Sequence, residues 1–578
     1  MTERYALLHF SVINFSVSLF VGLTALNVCH ADVAILGSGF AGSLAALILE
    51  RIGLHSVLLE RGRHPRFAIG ESSTPIAGFV LRKLAHTYDL PPLAPLAKYG
   101  TWQANCPQLV CGLKRGFSYF RHEPQQPFLP RDDHANELLV AASSDDEHGD
   151  VHWLRSDVDN FFVEEVQAAG IPYFDETNVT LIHEDTGWRL TGLRHDEQIE
   201  VRTRFVIDAT GPACVVPRAL GIACNADGMA THSRSIFAHF RSLRPWREVL
   251  DSAGAKLDDH PFDCDRAAVH HVLDEGWMWQ LPFDNGVTSA GFVLDGASPV
   301  GRIANPSADP AGRIGNPSYG IPHQQWDDLL RRYPSLREQF RHAEIVPDCG
   351  GLHVTGRLQR MAHAMAGDPG RMRRRRTIQA GDDWALLPHT AGFIDPLHST
   401  GIAHSLCGVA RLTGILADCW NDPTRLATGL HDYEQTLRQE LTLIDELVHG
   451  CYLARRQFRL FVAYCMLYFA AVTTCERRWT STQNPGILEN PRVLPAFLSA
   501  DEPEFRSVVR DIHRRLESLI AAGRIDEPRI ADFERSVAAA IAPWNTAGLC
   551  DAAARNMYRH TAADMIAGPS DRQENGPG

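Results

Sequence analysis

The chain lacks the cysteine spacing that marks a metal or redox centre. Its thirteen cysteines include no Cys-x-x-Cys pair, and no cysteine–histidine cluster is spaced as a zinc site. No resident metal is expected, and a reduced, cytoplasmic protein is the simplest reading. An excess of positive charge is also missing: the formal net charge is -13, which argues against nucleic acid as a partner. The apolar stretch Leu460–Val472 is flanked by arginines and is too short for a confident membrane span, so a buried helix is favoured there. A membrane partner is not expected. What is present is ordinary for a globular protein. Hydrophobic residues make up 44% and charged residues 22%, which excludes a disordered chain or a membrane bundle, and 578 residues suffice for two or three folding units.

The segment Tyr5–Ala31 follows a single arginine, is largely apolar, and ends Val28-Cys29-His30-Ala31, a loose imitation of a signal-peptide cleavage site. A signal peptide or an anchor fits its length, but His9, Asn14 and Asn27 dilute it. A start codon set too far upstream is favoured, because a complete cofactor strand begins directly after it. The expected division is therefore an extension over 1–31, a catalytic unit over 32–430, a helical region over 431–570 and a disordered tail over 571–578.

From Asp32 the chain reads Asp-Val-Ala-Ile-Leu-Gly37-Ser-Gly39-Phe-Ala-Gly42 and continues as an Ala/Leu-rich helix, followed by the strand His55-Ser-Val-Leu-Leu-Glu60. This strand, turn, helix, strand order is the context in which a G-x-G-x-x-G motif binds a dinucleotide. Gly37 allows the turn, Gly39 lets backbone N–H groups approach a pyrophosphate, and Gly42 permits close helix–strand packing. Glu60 can accept from the adenosine ribose. Arg202-Thr-Arg-Phe-Val-Ile-Asp208-Ala-Thr-Gly211-Pro212 resembles the second flavoprotein motif, where the chain returns to FAD, and favours FAD over NAD. No second G-x-G-x-x-G lies in a strand–helix setting, so a separate NAD(P)H site is not expected. Further on, Trp277-Met278-Trp279-Gln280-Leu281-Pro282 puts Trp277, Trp279 and Leu281 on one face of an extended strand. Two indoles stacked on one surface wall off a large flat ligand or fill a core.

With Gly37–Gly42, Trp277–Pro282 and the segment Ala391-Gly392-Phe393-Ile394-Asp395-Pro396-Leu397-His398-Ser399-Thr400-Gly401-Ile402, the chain resembles the flavin-dependent halogenases of the tryptophan-halogenase superfamily over about residues 32 to 470. The resemblance implies an α/β fold with an FAD-binding Rossmann-type domain of the flavin monooxygenase/halogenase kind, a mixed substrate-side β-sheet and a helical C-terminal region. It implies reduced FAD supplied by a partner flavin reductase, dioxygen, and chloride or bromide oxidised to hypohalous acid. A lysine then uses that acid to halogenate an electron-rich aromatic substrate in secondary metabolism, one that is either free or tethered to a carrier protein. Trp277 and Trp279 become the wall beside the flavin, with Leu281 where the family has isoleucine. Leu113-Lys114-Arg115-Gly116-Phe117-Ser118-Tyr119 resembles the family's lysine pattern and nominates Lys114, with Lys98 as fallback. Read as one strand, it puts Lys114, Gly116 and Ser118 on one face and Leu113, Phe117 and Tyr119 on the other. Burial would depress the amine's pKa. The turn Gly70-Glu71-Ser72 resembles a motif lining the flavin, and Ser399, Thr400 and Gly401 match a turn at a helix start whose N–H groups approach halide.

Two departures from the family stand out. His398 occupies the position of a glutamate, where it either handles protons near neutral pH or packs. Pro388-His389-Thr390-Ala391-Gly392 replaces the usual Gly-Asp-x-Ala-Gly-like run, leaving His389 as a substitute ribityl partner. Elsewhere, Gly301–Ser307 returns as Gly312–Ser318, a duplicated surface loop, and the arginines between Arg371 and Arg376 read as a solvated loop or a patch for an acidic carrier. Helical patterns run through Tyr433–Tyr452, Phe458–Val472 and Glu504–Ala540. The rivals are an FAD monooxygenase or reductase of the same fold, and an FAD-binding homologue that has lost catalysis.

Overall fold

The computed structural model describes residues 27–296, 321–367, 383–480 and 494–561. The duplicated loop, the arginine cluster, most of the N-terminal extension and the tail lie outside these residues.

The cofactor half is a seven-stranded sheet. Tyr173–Phe174, Ser56–Leu59, Asn27–Leu36 and Glu197–Asp208 run parallel in that order, and Trp384–Leu386 joins the end of the last. Gly187–Arg194 and Asn178–Glu184 extend it antiparallel. Val33 to Leu36 and Val57 to Leu59 are continuous apolar runs because the parallel strands are covered on both faces. The helix Phe40–Arg51 is buried along almost its whole length, which its Ala/Leu composition allows.

A second, nine-stranded sheet is mixed, as expected. Its main path runs Glu344–Ile345, Ser233–Arg241, Thr288–Asp295, Gly276–Pro282, Ala268–Val272, Gly116–Arg121, Glu137–Ala141 and Met557–Tyr558, and His353–Val354 also pairs with Ser233–Arg241. Two pairings are parallel, Ala268–Val272 with Gly116–Arg121 and Met557–Tyr558 with Glu137–Ala141. Alternation along these strands splits the interior in two. Trp277, Trp279, Leu281, Phe117 and Tyr119 join the core shared with the cofactor sheet, whereas Met278, Phe120 and Leu139 join a smaller core behind. The tryptophan strand therefore has the facing its sequence predicts.

Four long helices, Pro423–Ala454, Phe458–Thr480, Pro503–Ala521 and Glu527–Ile541, form the helical region. Phe458–Thr480 is long and apolar enough to cross a membrane, yet 83% of its most apolar window is buried in the protein core.

Three expectations change. The first strand begins at Asn27, and residues 27 to 31 pair with Ile199 to Thr203, so the boundary at 31/32 falls inside a strand. The boundary at 430/431 falls inside the helix Pro423–Ala454. The lysine segment is two strands, not one: Cys111–Lys114 pairs with Asp150–Trp153, and the chain turns at Arg115 before entering the large sheet. Arg115 fixes that turn with its N–H on the Arg266 carbonyl at 2.7 Å and its guanidinium on Asp146 at 2.7 Å. Side-chain alternation therefore does not carry across it.

Candidate active site

The dinucleotide turn is tight enough to specify its glycines. Gly37 has φ +95°, and a Cβ at Gly42 would lie 2.0 Å from the Gly37 carbonyl oxygen. At the helix start the Phe40 N–H donates to Asp159, which Arg155 holds through two hydrogen bonds of 2.9 Å. Arg155 also donates to the carbonyls of Ile69 and Gly70, and its guanidinium covers the Phe40 ring. A cation thus stands at the lip of the turn, beside Gly39, where a pyrophosphate needs one. No local pattern announced Arg155, which lies far along the chain. Glu60 accepts from the Ser38 N–H and hydroxyl and from the Gly62 N–H at 2.7 Å. Burial would raise its pKa, but the Arg66 charge and these N–H groups hold it below the usual carboxylate range.

Opposite this turn, Asp208 is fully buried, with its carboxylate spent on Thr210 and on the Val216 N–H. It shapes the return loop from within. His389 lies against Gly211, so the two return motifs do meet. Its surroundings of protein, then Arg360 and Arg155, push its pKa well down and keep the ring neutral. Gly392 faces Leu441, allowing the helix Pro423–Ala454 to pack closely. Glu71 is buried and accepts from His239 at 2.7 Å, tying its turn to the large sheet. The glycine turn, the flanking guanidinium and the buried acids fit FAD.

Only four lysines occur in the chain, at positions 83, 98, 114 and 256. Two of them converge on Asp150. Lys98 forms an ion pair with it at 2.8 Å, and Lys114 lies opposite it in the strand register. Lys114 is fully buried, donates to the Ser73 carbonyl at 2.6 Å and lies 4.2 Å from the Phe117 ring centre. Burial pushes its pKa down to about 7, against a smaller upward pull from Asp150. The amine therefore faces Phe117, contrary to single-strand alternation, because the turn at Arg115 reorients it. Around it lies an aromatic chamber. His270 stacks on Tyr119 at 4.5 Å and stands 5.2 Å from Trp277, while Phe117 meets Tyr468 edge-on. His152 and His270 are both held neutral, first by burial and then by the Lys114 charge, with pKa values near 3. None of Asp150, His152, His270 and Tyr468 carries a local sequence signature. The lysine strand reaches the tryptophan strand because Gly112 has no side chain: a Cβ there would sit 2.0 Å from the Pro282 carbonyl oxygen.

Trp277 and Trp279 lie side by side, ring centres 6.2 Å apart. The Trp277 N–H donates to the Tyr452 hydroxyl, which donates to Asp395 at 2.9 Å; Ser233 donates to the same carboxylate oxygen at 2.6 Å. Burial raises Asp395 to about 6 against these hydrogen bonds. This relay joins the tryptophan strand to the loop that begins the helix Gly401–Cys419. Ser399 has φ +52° and gives its N–H to the Pro396 carbonyl, and the side chain of the N-cap residue Thr400 makes no capping hydrogen bond. An uncapped N-terminus suits an anion. His398 stacks on Tyr468 at 4.2 Å, and its Nδ1 has no hydrogen-bond partner among the described residues. Burial, then His270, pushes its pKa down to about 3, which favours the neutral imidazole.

No family model matches the chain. It is 28% identical over 511 residues to monodechloroaminopyrrolnitrin halogenase PrnC of Pseudomonas fluorescens, a match covering 86% of this chain and 82% of that protein. It is 27% identical over 383 residues to tetracycline 7-halogenase of Kitasatospora aureofaciens, covering 65% of this chain and 61% of the relative. The fold matches a crystal structure of halogenase PltM in complex with phloroglucinol and FAD at TM-score 0.75 and 23% identity, over 91% of this chain and 99% of PltM. Relatives matched along most of the chain and the shared fold agree: the chain is similar over most of its length to flavin-dependent halogenases, which are FAD-dependent oxidoreductases.

Proposed function

We propose that this enzyme chlorinates or brominates an electron-rich aromatic ring, with Lys114 positioning the electrophilic halogen. The carrying observation is a fully buried amine that donates to the Ser73 carbonyl and lies 4.2 Å from the Phe117 ring centre. Gly37, Gly39, Gly42, Glu60 and Arg155 hold the dinucleotide end of FAD, with His389 and Gly211 on the opposite side. Bound FAD, reduced elsewhere, supplies with dioxygen the oxidising power that turns halide into an electrophile. Thr400 and Gly401 present the helix N-terminus to halide. The Lys114 amine, neutral above pH 7, accepts a hydrogen bond from the incoming hypohalous acid or takes its halogen as the O–halogen bond breaks and the amine proton leaves with the hydroxyl as water, and the Phe117, Tyr119 and Tyr468 rings set a flat partner beside it. Because Lys114 is fully enclosed, substrate admission requires these rings to part. The chain carries no second dinucleotide fingerprint, which supports a separate flavin reductase. Its thirteen free thiols fit a reducing cytoplasm. The related 1H-pyrrole-2-carbonyl-[peptidyl-carrier protein] brominase of Pseudoalteromonas luteoviolacea, 23% identical, keeps a carrier-tethered substrate in view as a variant of this reading.

Lys114→Ala is the direct test. It should keep FAD binding and peroxide release while halogenated product, read by mass spectrometry, falls about 100-fold or more. Unchanged product formation would assign the role to another residue, Lys98 first.

A further inference from the structure

We infer that His134, Glu137 and His260 form a structural zinc site at the outer edge of the large sheet. None of the three belongs to the flavin site or the lysine chamber. His134 sits at φ +54° just before the strand Glu137–Ala141, and His260 follows a short turn much later in the chain. Their side chains are 1%, 2% and 1% exposed. One nitrogen of each histidine and one oxygen of Glu137 come within 4.8 Å of one another.

Hydrogen bonding among protein groups leaves this cluster incomplete. Neither ring nitrogen of His260 has a hydrogen-bond partner among the described residues, nor does Glu137 Oε2, although all three atoms are buried. Two imidazoles and a carboxylate are a donor set that zinc takes, and a tetrahedral ion with bonds of about 2.0–2.2 Å sets its ligand atoms about 3.4 Å apart. His260 Nε2 and Glu137 Oε2 are 3.4 Å apart. His134 has a carboxylate at each nitrogen, Glu137 at Nδ1 and Asp259 3.2 Å from Nε2. Whichever nitrogen ligates, the other has an acceptor to orient the ring, as ligating histidines require. Water completes the fourth position. The spacing is invisible in sequence because the ligands come from a turn and a distant loop.

The site joins three segments. Asn556 donates to the His134 carbonyl at 3.1 Å and Arg555 pairs with Asp259 at 3.5 Å, so the ion would also anchor the C-terminal strand Met557–Tyr558. Its role is structural, and its test does not depend on halogenation. Tag-free protein, purified without chelator and dialysed against metal-free buffer, is analysed for metal by mass spectrometry. About one zinc per chain is expected, falling below about a tenth in His260→Gln and Glu137→Gln but retained in His449→Gln, which alters a part-exposed histidine cluster elsewhere. Chelator should lower the melting temperature of the unaltered protein, and zinc chloride should restore it, so the test survives if a variant fails to fold. A chain that stays below about a tenth of a zinc after incubation with zinc chloride and dialysis overturns the site. So does full zinc retention in both variants, or a melting temperature indifferent to chelator.

Discussion

In the proposed reading Lys114 carries the chemistry, and its environment makes that role measurable by pH. With a pKa near 7, the amine gains its lone pair as pH rises through neutrality, so the rate of halogenated product formation should climb along an acid limb centred near pH 7 and then level off. Asp150→Asn removes the charge that pulls this pKa upward, so the limb should move to lower pH; a limb that stays put or moves up would separate it from Lys114. The same shift costs stability. The folded amine has a lower pKa than its ordinary value of 10.5, so between pH 7 and 10.5 the unfolded chain binds the extra proton and stability rises with pH. Below pH 7 the penalty is fully present. Lys114→Met should therefore flatten the rise in melting temperature between pH 7 and 9.5. Lys114 itself was legible because its neighbours carry a motif. Its partners were not: Asp150 meets it only through strand register, and His152, His270 and Tyr468 arrive from separate elements. The burial of His398 against Tyr468 was likewise unreadable, since its residue type permits a proton near neutral pH and only burial favours the neutral ring.

Among elements, the helix Gly401–Cys419, proposed to face halide, is held from behind by one buried acid. Glu440, on the helix Pro423–Ala454, accepts from His404 at 2.9 Å and from the Phe497 N–H at 2.6 Å, and pairs with Arg411 at 2.8 Å. Burial opposes its charge, but these partners win and keep it ionised. Glu440→Ala strands a buried guanidinium and should destabilise the fold by about 3–5 kcal/mol in urea titration. At the cofactor end, Gly42→Ala drives a Cβ into the Gly37 carbonyl and should weaken FAD binding about 10- to 100-fold, read by flavin fluorescence titration. A Gly42→Ala protein with unchanged affinity would mean that FAD does not use this turn. The Rossmann strands, the facing of Trp277 and Trp279 and the start of the helix Gly401–Cys419 were readable from periodicity and turn residues. The break at Arg115 was not, because alternation gives no sign of a chain changing sheets. The same limit hid the strand from Asn27 to Ala31, whose polar, cleavage-like ending concealed its pairing with Ile199 to Thr203.

For the molecule as a whole, the large sheet is the organising wall. One face, with Trp277, Trp279, Phe117 and Tyr119, closes the catalytic side, and the other carries an independent core. The helical region completes the chamber through Tyr452 and Tyr468, so the catalytic unit extends beyond the boundary expected from sequence. This chamber is proposed to halogenate. That activity is tested by incubating the full chain with FAD, an independent flavin reductase, NADH, and chloride or bromide over a panel of electron-rich phenols and indoles, with products read by mass spectrometry. The expected result is a product carrying one added halogen that requires the reductase and disappears in Lys114→Ala. Consumption of NADPH by the chain alone, with no halogenated product from any acceptor, would contradict it.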